Sequence, residues 1–293
     1  MVYNRHICYP HYGDIVRKRG WFGIIKANFH THTTFCDGAN TPEEMVQSAI
    51  ALGMTALGFS GHAYIGLKGT TGMEPEAEKA YRAEVLRLKE AYSGVLPIYL
   101  GIEMDGYSPP AEESYEFSIG SVHGMYVGGE YRAVDYREDY AAETVEKFFG
   151  GDWYACAEAY YQAEAELANR HDPDFFGHFD LVTKFNEGGK YFDESHPRYR
   201  KVALETLHYL LELEKPFEVN TGAISRGYRV TPYPAPFLLE EIRKEGGRII
   251  LSSDCHGKDG LLCAFPEATE LAKSCGFRTA LVLTPDGFRE ENL

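Results

Sequence analysis

The sequence predicts an α/β protein in which β/α units surround a parallel sheet or barrel. Strand-length apolar runs alternate with stretches of helical period, and the runs are apolar almost without a break, as strands buried on both faces are. Six of the eleven histidines fall at or just past the ends of these runs. Eight runs are found: Ile24–Phe29, Ala56–Ser60, Pro97–Glu103, Phe117–His123, Phe175–His178, Pro216–Asn220, Arg248–Asp254 and Thr279–Leu283. No internal repeat or low-complexity linker divides the 293 residues, so one domain is expected over 24–293, preceded by an extension over 1–23.

The extension has no clear period and is rich in aromatic and basic residues. It lacks the apolar block and small-residue cleavage site of a secretory signal, so the expected location is cytoplasmic. After the first run, Thr41-Pro42-Glu43-Glu44 is a capping box with proline at the first helical position, leading into Met45, Ala49 and Leu52 at helical spacing. From Glu74 to Tyr92, Tyr81, Val85, Leu88 and Tyr92 share one face, with acidic residues in the first turn where the helix dipole favours them. Between His123 and Phe175 a segment rich in Ala, Tyr and Glu is interrupted at Gly150-Gly151, which predicts two helices over one edge of the barrel, placed to roof a substrate site. The fifth run is the shortest, and a helical run over Val202–Leu213 separates it from the sixth.

Composition removes several classes. With 44% hydrophobic and 14% aromatic residues the chain has ample material for a core, and no apolar run approaches the roughly 18 residues of a membrane span. The six cysteines form no C-x-x-C pair and are expected as reduced thiols. A formal charge of −15 argues against sequence-independent binding of nucleic acid, which lysine and arginine drive by displacing counterions from phosphates.

In a parallel barrel the strand ends meet on one face, so His30, His32, His62, His123, His178 and His256 would converge there. Asp37, Glu103 and Asp254 occupy equivalent places. Each has an ordinary structural reading on its own, since a strand-end histidine can be a satisfied core residue and a lone glutamate an ion-pair partner. Together, nine imidazole and carboxylate ligands exceed what one tetrahedral ion uses, and two or three divalent ions (Zn, Mn or Fe) are expected. The other five histidines (His6, His11, His171, His196, His208) read as structural, and Cys36 and Cys255, beside ligands, as packing residues.

These positions, in this order, resemble the PHP (polymerase and histidinol phosphatase) superfamily over roughly residues 27–285. The motifs are His30-Thr31-His32 with Asp37, Gly61-His62, Gly101-Ile102-Glu103, Ser121-Val122-His123, Gly177-His178 and Asp254-Cys255-His256. The segment from Tyr81 to Asp105, with Gly177-His178-Phe179-Asp180, resembles the histidinol-phosphate phosphatase branch. The resemblance implies a distorted (β/α)7 TIM-like barrel with the metal site at the C-terminal ends of the strands, so the eighth run or the short fifth would stand outside it. It also implies that His30, His32, Glu103 and Asp254 hold one ion, that Glu103, His123 and His178 hold a second, and that Asp37, His62 and His256 hold a third. The branch usually has an acidic residue before the second-motif histidine and a small residue inside the last motif, where this chain has Gly61 and Cys255.

The expected activity is hydrolysis of a small phosphate monoester, by the resemblance L-histidinol phosphate in histidine biosynthesis. A hydroxide held between the ions bridged by Glu103 would attack phosphorus, with Glu103, Asp254 and Arg226 as the catalytic residues. Arg226, in a Gly/Ser-containing loop after a strand, is the first choice for a phosphate clamp, Lys184 the second and Arg229 the third. Asp105 and Asp180 are candidates to receive a substrate ammonium. Competing readings are a PHP-type phosphoesterase acting on nucleotides or oligonucleotides, and a non-catalytic metal-binding module. The first would want a basic or aromatic groove, whereas many of the tyrosines lie among glutamates over 131–161.

Overall fold

The computed structural model describes residues 24–67, 70–111 and 114–293; the extension expected over 1–23 lies outside the described residues. Seven parallel strands form the central layer in the order β1 (Ala27–Asn28), β2 (Ala56–Phe59), β3 (Ile98–Met104), β4 (Phe117–Gly120), β7 (Phe175–Phe176), β8 (Phe217–Asn220) and β9 (Ile249–Ser252). The seam closes beyond the ends of the first and last of these. Thr31 bridges Cys255 in parallel, with His32 N donating to Cys255 O at 2.9 Å and Cys255 N to His30 O at 3.4 Å.

The strand outside the barrel is the eighth run. β10 (Thr279–Thr284) pairs with β9 only at Leu281–Ile250 and carries the antiparallel edge strand β11 (Gly287–Asn292), whereas the short fifth run lies between β4 and β8. β9 therefore meets β10 at one pair, and meets the β1 segment only past its end. This splayed seam is the distortion of the barrel.

An aromatic floor fills the interior below the strand ends. Phe117 on β4 packs edge-on to Phe29 beyond β1 at 5.9 Å between ring centroids and stacks on Phe175 of β7 at 6.2 Å. Gly101 on β3 makes room for it, because a Cβ there would stand 2.2 Å from Phe117 Cζ. The glycine of the third motif is thus a packing requirement that sets the glutamate two residues later above the floor.

The helices follow from local signals. α1 (Pro42–Ala51) starts at the Thr41 capping box, with Glu44 N donating to Thr41 Oγ1 and Thr41 N to Glu44. α2 (Pro75–Ala91) buries Tyr81, Val85 and Leu88 as its periodicity requires, and the Tyr81 hydroxyl donates to Gly101 O at 2.8 Å. The segment after His123 is more elaborate than two helices. It opens with a hairpin of β5 (Gly124–Val127) and β6 (Glu130–Ala133), turned by Gly128 and Gly129 at φ 61° and 86°, before α3 (Glu138–Phe149) and α4 (Trp153–Arg170). α4 is a flanking helix, packed on α5 (Pro197–Leu211) through the Tyr161–Tyr199 hydroxyl contact at 3.0 Å. Three helices complete the order: the single turn α6 (Gly222–Ser225), α7 (Pro236–Lys244) and α8 (Phe265–Ser274). Among the described residues Cys36, Cys156, Cys255 and Cys275 are free, and no helix is long and apolar enough to cross a membrane.

Candidate metal centre

All nine predicted ligands meet at the C-terminal ends of the strands. Glu103, fully buried at the end of β3, is the hub. Its Oε1 lies 3.1 Å from His30 Nε2, 3.3 Å from His123 Nε2 and 3.2 Å from His178 Nε2, and its Oε2 lies 3.5 Å from His32 Nε2 and 2.7 Å from His62 Nδ1. Asp254 Oδ1 stands 3.7 Å from His30 Nε2 and 3.2 Å from His32 Nε2. Asp37, on the turn after β1, reaches His62 Nε2 at 3.5 Å and His256 Nε2 at 3.3 Å. Donors bound to one ion at about 2.0–2.1 Å stand roughly 3.3 Å apart in a tetrahedron, so these separations suit cation cages. His32 packs between the first and third groups, with ring centroids 4.3 Å from His62 and 4.2 Å from His256.

A second observation supports cations. His30 Nε2, His32 Nε2 and Glu103 Oε2 are buried and make no hydrogen bond, at about 1–3 kcal/mol for each unsatisfied group. All three face the shared space, where coordination would satisfy them. The residues present therefore fit divalent ions.

The electrostatics differ from ring to ring. Burial, then the charges of His256 and His62, lower the His32 pKa to about 3, which keeps the ring a neutral donor. At His123 burial opposes protonation, but Glu103 and Asp105 outweigh it and raise the pKa to about 10. Burial also works against the Glu103 charge, yet His30, His62 and His123 hold the carboxyl well below the usual range. Asp254 has φ 47°, a left-handed conformation that Asp tolerates better than most residues, and this turns its carboxylate back over the barrel mouth.

An outer layer orients the rings. Glu218, 1% exposed in the middle of β8, places Oε1 2.7 Å from His30 Nδ1, while its Oε2 accepts from His178 N and Asn220 Nδ2, both at 2.8 Å. Burial opposes the His30 charge, but Glu103, Glu218 and Asp254 outweigh it and raise the ring's pKa; a carboxylate only accepts, so with an ion held at Nε2 the ring would keep its proton on Nδ1, facing Glu218. Asp105 Oδ2 accepts from His123 N at 3.1 Å and lies 3.4 Å from His123 Nδ1; it is committed to the ring, not open to a ligand. Sequence reasoning missed Glu218, although a charged residue inside an otherwise buried strand was its signal.

The first departure from the branch pattern, Gly61, is bordered by sulfur. A Cβ at Gly61 would fall 3.1 Å from Met73 Cε, 3.2 Å from its Sδ and 3.6 Å from Cys36 Sγ, so a side chain there would have to displace Met73. Cys36 lies on a turn, not a strand, and its Sγ stands 3.5 Å from His32 Nδ1.

The basic candidates differ in placement. Arg226, at the end of α6, donates from Nη2 to Asp254 Oδ2 at 3.0 Å and from Nη1 to Asp254 O at 3.1 Å; Nη1 also lies 2.9 Å from His256 Nδ1, while the buried Nε makes no hydrogen bond. Lys184 is buried and donates to Asp135 O at 2.7 Å, with Asp135 Oδ2 at 3.4 Å. Arg229 is spent on Thr183 O and Glu194, at 2.7 and 3.0 Å. Asp180 is 1% exposed, with Oδ2 accepting from Ala235 N, and so cannot face a ligand.

Comparisons with known proteins give the family. The model of the PHP domain family matches residues 28–222. A Deinococcus radiodurans protein that carries the name probable histidinol-phosphatase is 29% identical over 268 residues, covering 85% of this chain and 94% of that protein. The histidinol-phosphatase of Bacillus subtilis is 26% identical over 254 residues, covering 79% and 93%. The solved histidinol phosphate phosphatase of Lactococcus lactis, in complex with Zn, L-histidinol and phosphate, superposes with a TM-score of 0.64 at 22% identity, covering 90% of this chain and 99% of that one. With the family's motifs gathered at one end of a closed seven-stranded barrel and its model spanning two thirds of the sequence, the chain belongs to the PHP domain family.

Proposed function

We propose that this protein is a metal-dependent phosphatase of the histidinol-phosphatase branch, hydrolysing L-histidinol phosphate to L-histidinol and phosphate in histidine biosynthesis, in the cytoplasm. The observation that carries the reading is the convergence of nine ligands, Glu103 at their hub, with Arg226 beside them, in a chain that aligns with histidinol-phosphatases over nearly their whole length. Two or three divalent ions are proposed: one at His30, His32, Glu103 and Asp254, a second at Glu103, His123 and His178, and a third at Asp37, His62 and His256. Bound there, such ions lower the pKa of water and neutralise phosphoryl oxygens.

The chain's own residues supply the rest. Glu218 and Asp105 fix ring orientation, so the reaction pays no cost to arrange it. Arg226 ties Asp254 and His256 together with its side chain 28% exposed to meet a phosphoryl oxygen, and the buried Lys184 ammonium adds a second positive charge on that side. These cations explain how a protein of charge −15 receives a dianion.

Phosphate release from L-histidinol phosphate by Zn- or Mn-loaded protein, beside an aryl phosphate and a nucleotide, tests the reading. A preference of about 10³ in kcat/KM, roughly 4 kcal/mol of differential transition-state binding, is expected. Equal slow rates on all three would refute the substrate, and no turnover with any metal would refute the enzyme.

A further inference from the structure

His32 is a central ring of the centre, yet no carboxylate holds it from behind. Its side chain is wholly buried, and its Nε2, which makes no hydrogen bond, stands 3.2 Å from Asp254 Oδ1 and 3.5 Å from Glu103 Oε2. To offer a lone pair there, the neutral ring must carry its proton on Nδ1 and find an acceptor for it. His30 and His123 have Glu218 and Asp105 at that place. At His32 the nearest carboxylate oxygen, Asp37 Oδ1, lies 3.8 Å from Nδ1, outside hydrogen-bond reach, and 3.5 Å from His62 Nε2 in the third group.

Cys36 stands in the gap. Its Sγ lies 3.5 Å from His32 Nδ1 and 3.5 Å from Thr33 O. A carbonyl only accepts, so the thiol proton goes to Thr33 O and the sulfur lone pair is left to receive the Nδ1 proton. The backbone fixes this placement: Cys36 N and Gly38 N both donate to Thr33 O at 3.0 Å. Glycine lets the turn close, because a Cβ at position 38 would fall 2.5 Å from Thr33 N. The sulfur is also uncharged, so it orients the ring without adding a fourth negative charge to Asp37, Glu103 and Asp254.

We infer that Cys36 is a positioning residue of the metal centre, its sulfur accepting the His32 Nδ1 proton and so aiming Nε2 at the ions. The inference deepens the reading of the centre as a cation site and rests on it. A cysteine that only fills space makes a different demand on its substitutes. Valine occupies the space without an acceptor, whereas serine keeps one donor and one acceptor on a smaller atom.

The test is chelator competition for Zn in full-length wild type, Cys36→Ser, Cys36→Ala and Cys36→Val, with absorption spectra of the Co(II)-loaded proteins. Alanine and valine are expected to weaken binding of one ion by about tenfold, the low end for an outer partner because sulfur is a weak acceptor, and serine to recover most of the loss. The Co(II) spectra of wild type and Cys36→Ser should match, with no thiolate charge-transfer band in the near ultraviolet. Wild-type affinity in Cys36→Val, or serine as weak as alanine, would overturn the assignment. A thiolate band that Cys36→Ser abolishes would overturn it too, by making Cys36 a ligand. Failure of the cation reading is seen separately, as a wild type that takes up neither Zn nor Co.

Discussion

Replacing Glu218 with glutamine tests whether the outer carboxylate sets the chemistry of the centre. The side chain is fully buried and accepts three contacts: His30 Nδ1 at 2.7 Å, His178 N at 2.8 Å and Asn220 Nδ2 at 2.8 Å. Glutamine offers one acceptor and one donor group. If its oxygen faces His30, the amide meets two donors, and Asn220 cannot flip to help because its Oδ1 holds Gly222 N at 2.8 Å. If the oxygen faces His178 N and Asn220 instead, two bonds survive and the amide donates to His30 Nδ1. That second arrangement costs less, and it forces the His30 proton onto Nε2, the atom aimed at Glu103. The expected result is a loss of about 10–100-fold in affinity for one ion, roughly 1.4–2.7 kcal/mol, with the cage that lacks His30 and His178 retained. Chelator competition, with metal content measured after dialysis, reads this directly. Wild-type affinity for every ion in Glu218→Gln would refute the tautomer argument.

Other perturbations probe separate parts of the molecule. Arg226→Ala should lower kcat/KM for the phosphate ester by about 10²-fold and weaken inhibition by inorganic phosphate, and unchanged inhibition would remove Arg226 from the phosphate site. Gly101→Ala puts a Cβ 2.2 Å from Phe117 Cζ and should cost about 1–3 kcal/mol in chemical denaturation, part of which Phe117→Leu in the same chain recovers. Burial raises the Asp180 pKa from 3.8 to about 7, only partly offset by Arg229 and the Ala235 amide. The native state then holds this proton more tightly than the unfolded state, so the group's contribution makes stability fall as pH rises from about 4 to about 7, by at most roughly 4 kcal/mol. Asp180→Asn should therefore stabilise the protein more at pH 8 than at pH 5, and an equal effect at both would contradict the shift.

The barrel strands are legible because each is a short apolar run ended by a polar residue, a pattern that survives even where only Phe175–Phe176 forms the ladder. The ligands are legible for the same reason: an imidazole at the end of a buried run has few structural uses. What hides is orientation. Glu218 sits mid-strand and is recognised only once a partner ring is known to face it. The hairpin hides because Tyr126, Glu130 and Tyr131 give weak alternation on a partly solvated ribbon, leaving the Gly128-Gly129 turn as its sole mark. Asp135 inherits that obscurity, since only the hairpin carries it to Lys184.

The seam of the barrel runs through Thr31 and Cys255, each flanked on both sides by ligands. Asn28 Nδ2 reinforces it by donating to Ser253 Oγ at 2.7 Å across 225 residues of chain. During synthesis, His30, His32 and Glu103 leave the ribosome long before Asp254 and His256 exist. A nascent chain can thus offer Glu103, His123 and His178 together, whereas the sets that include Asp254 and His256 stay incomplete until the strand that closes the seam is made. Completion of those two sets is thereby tied to closure of the barrel itself.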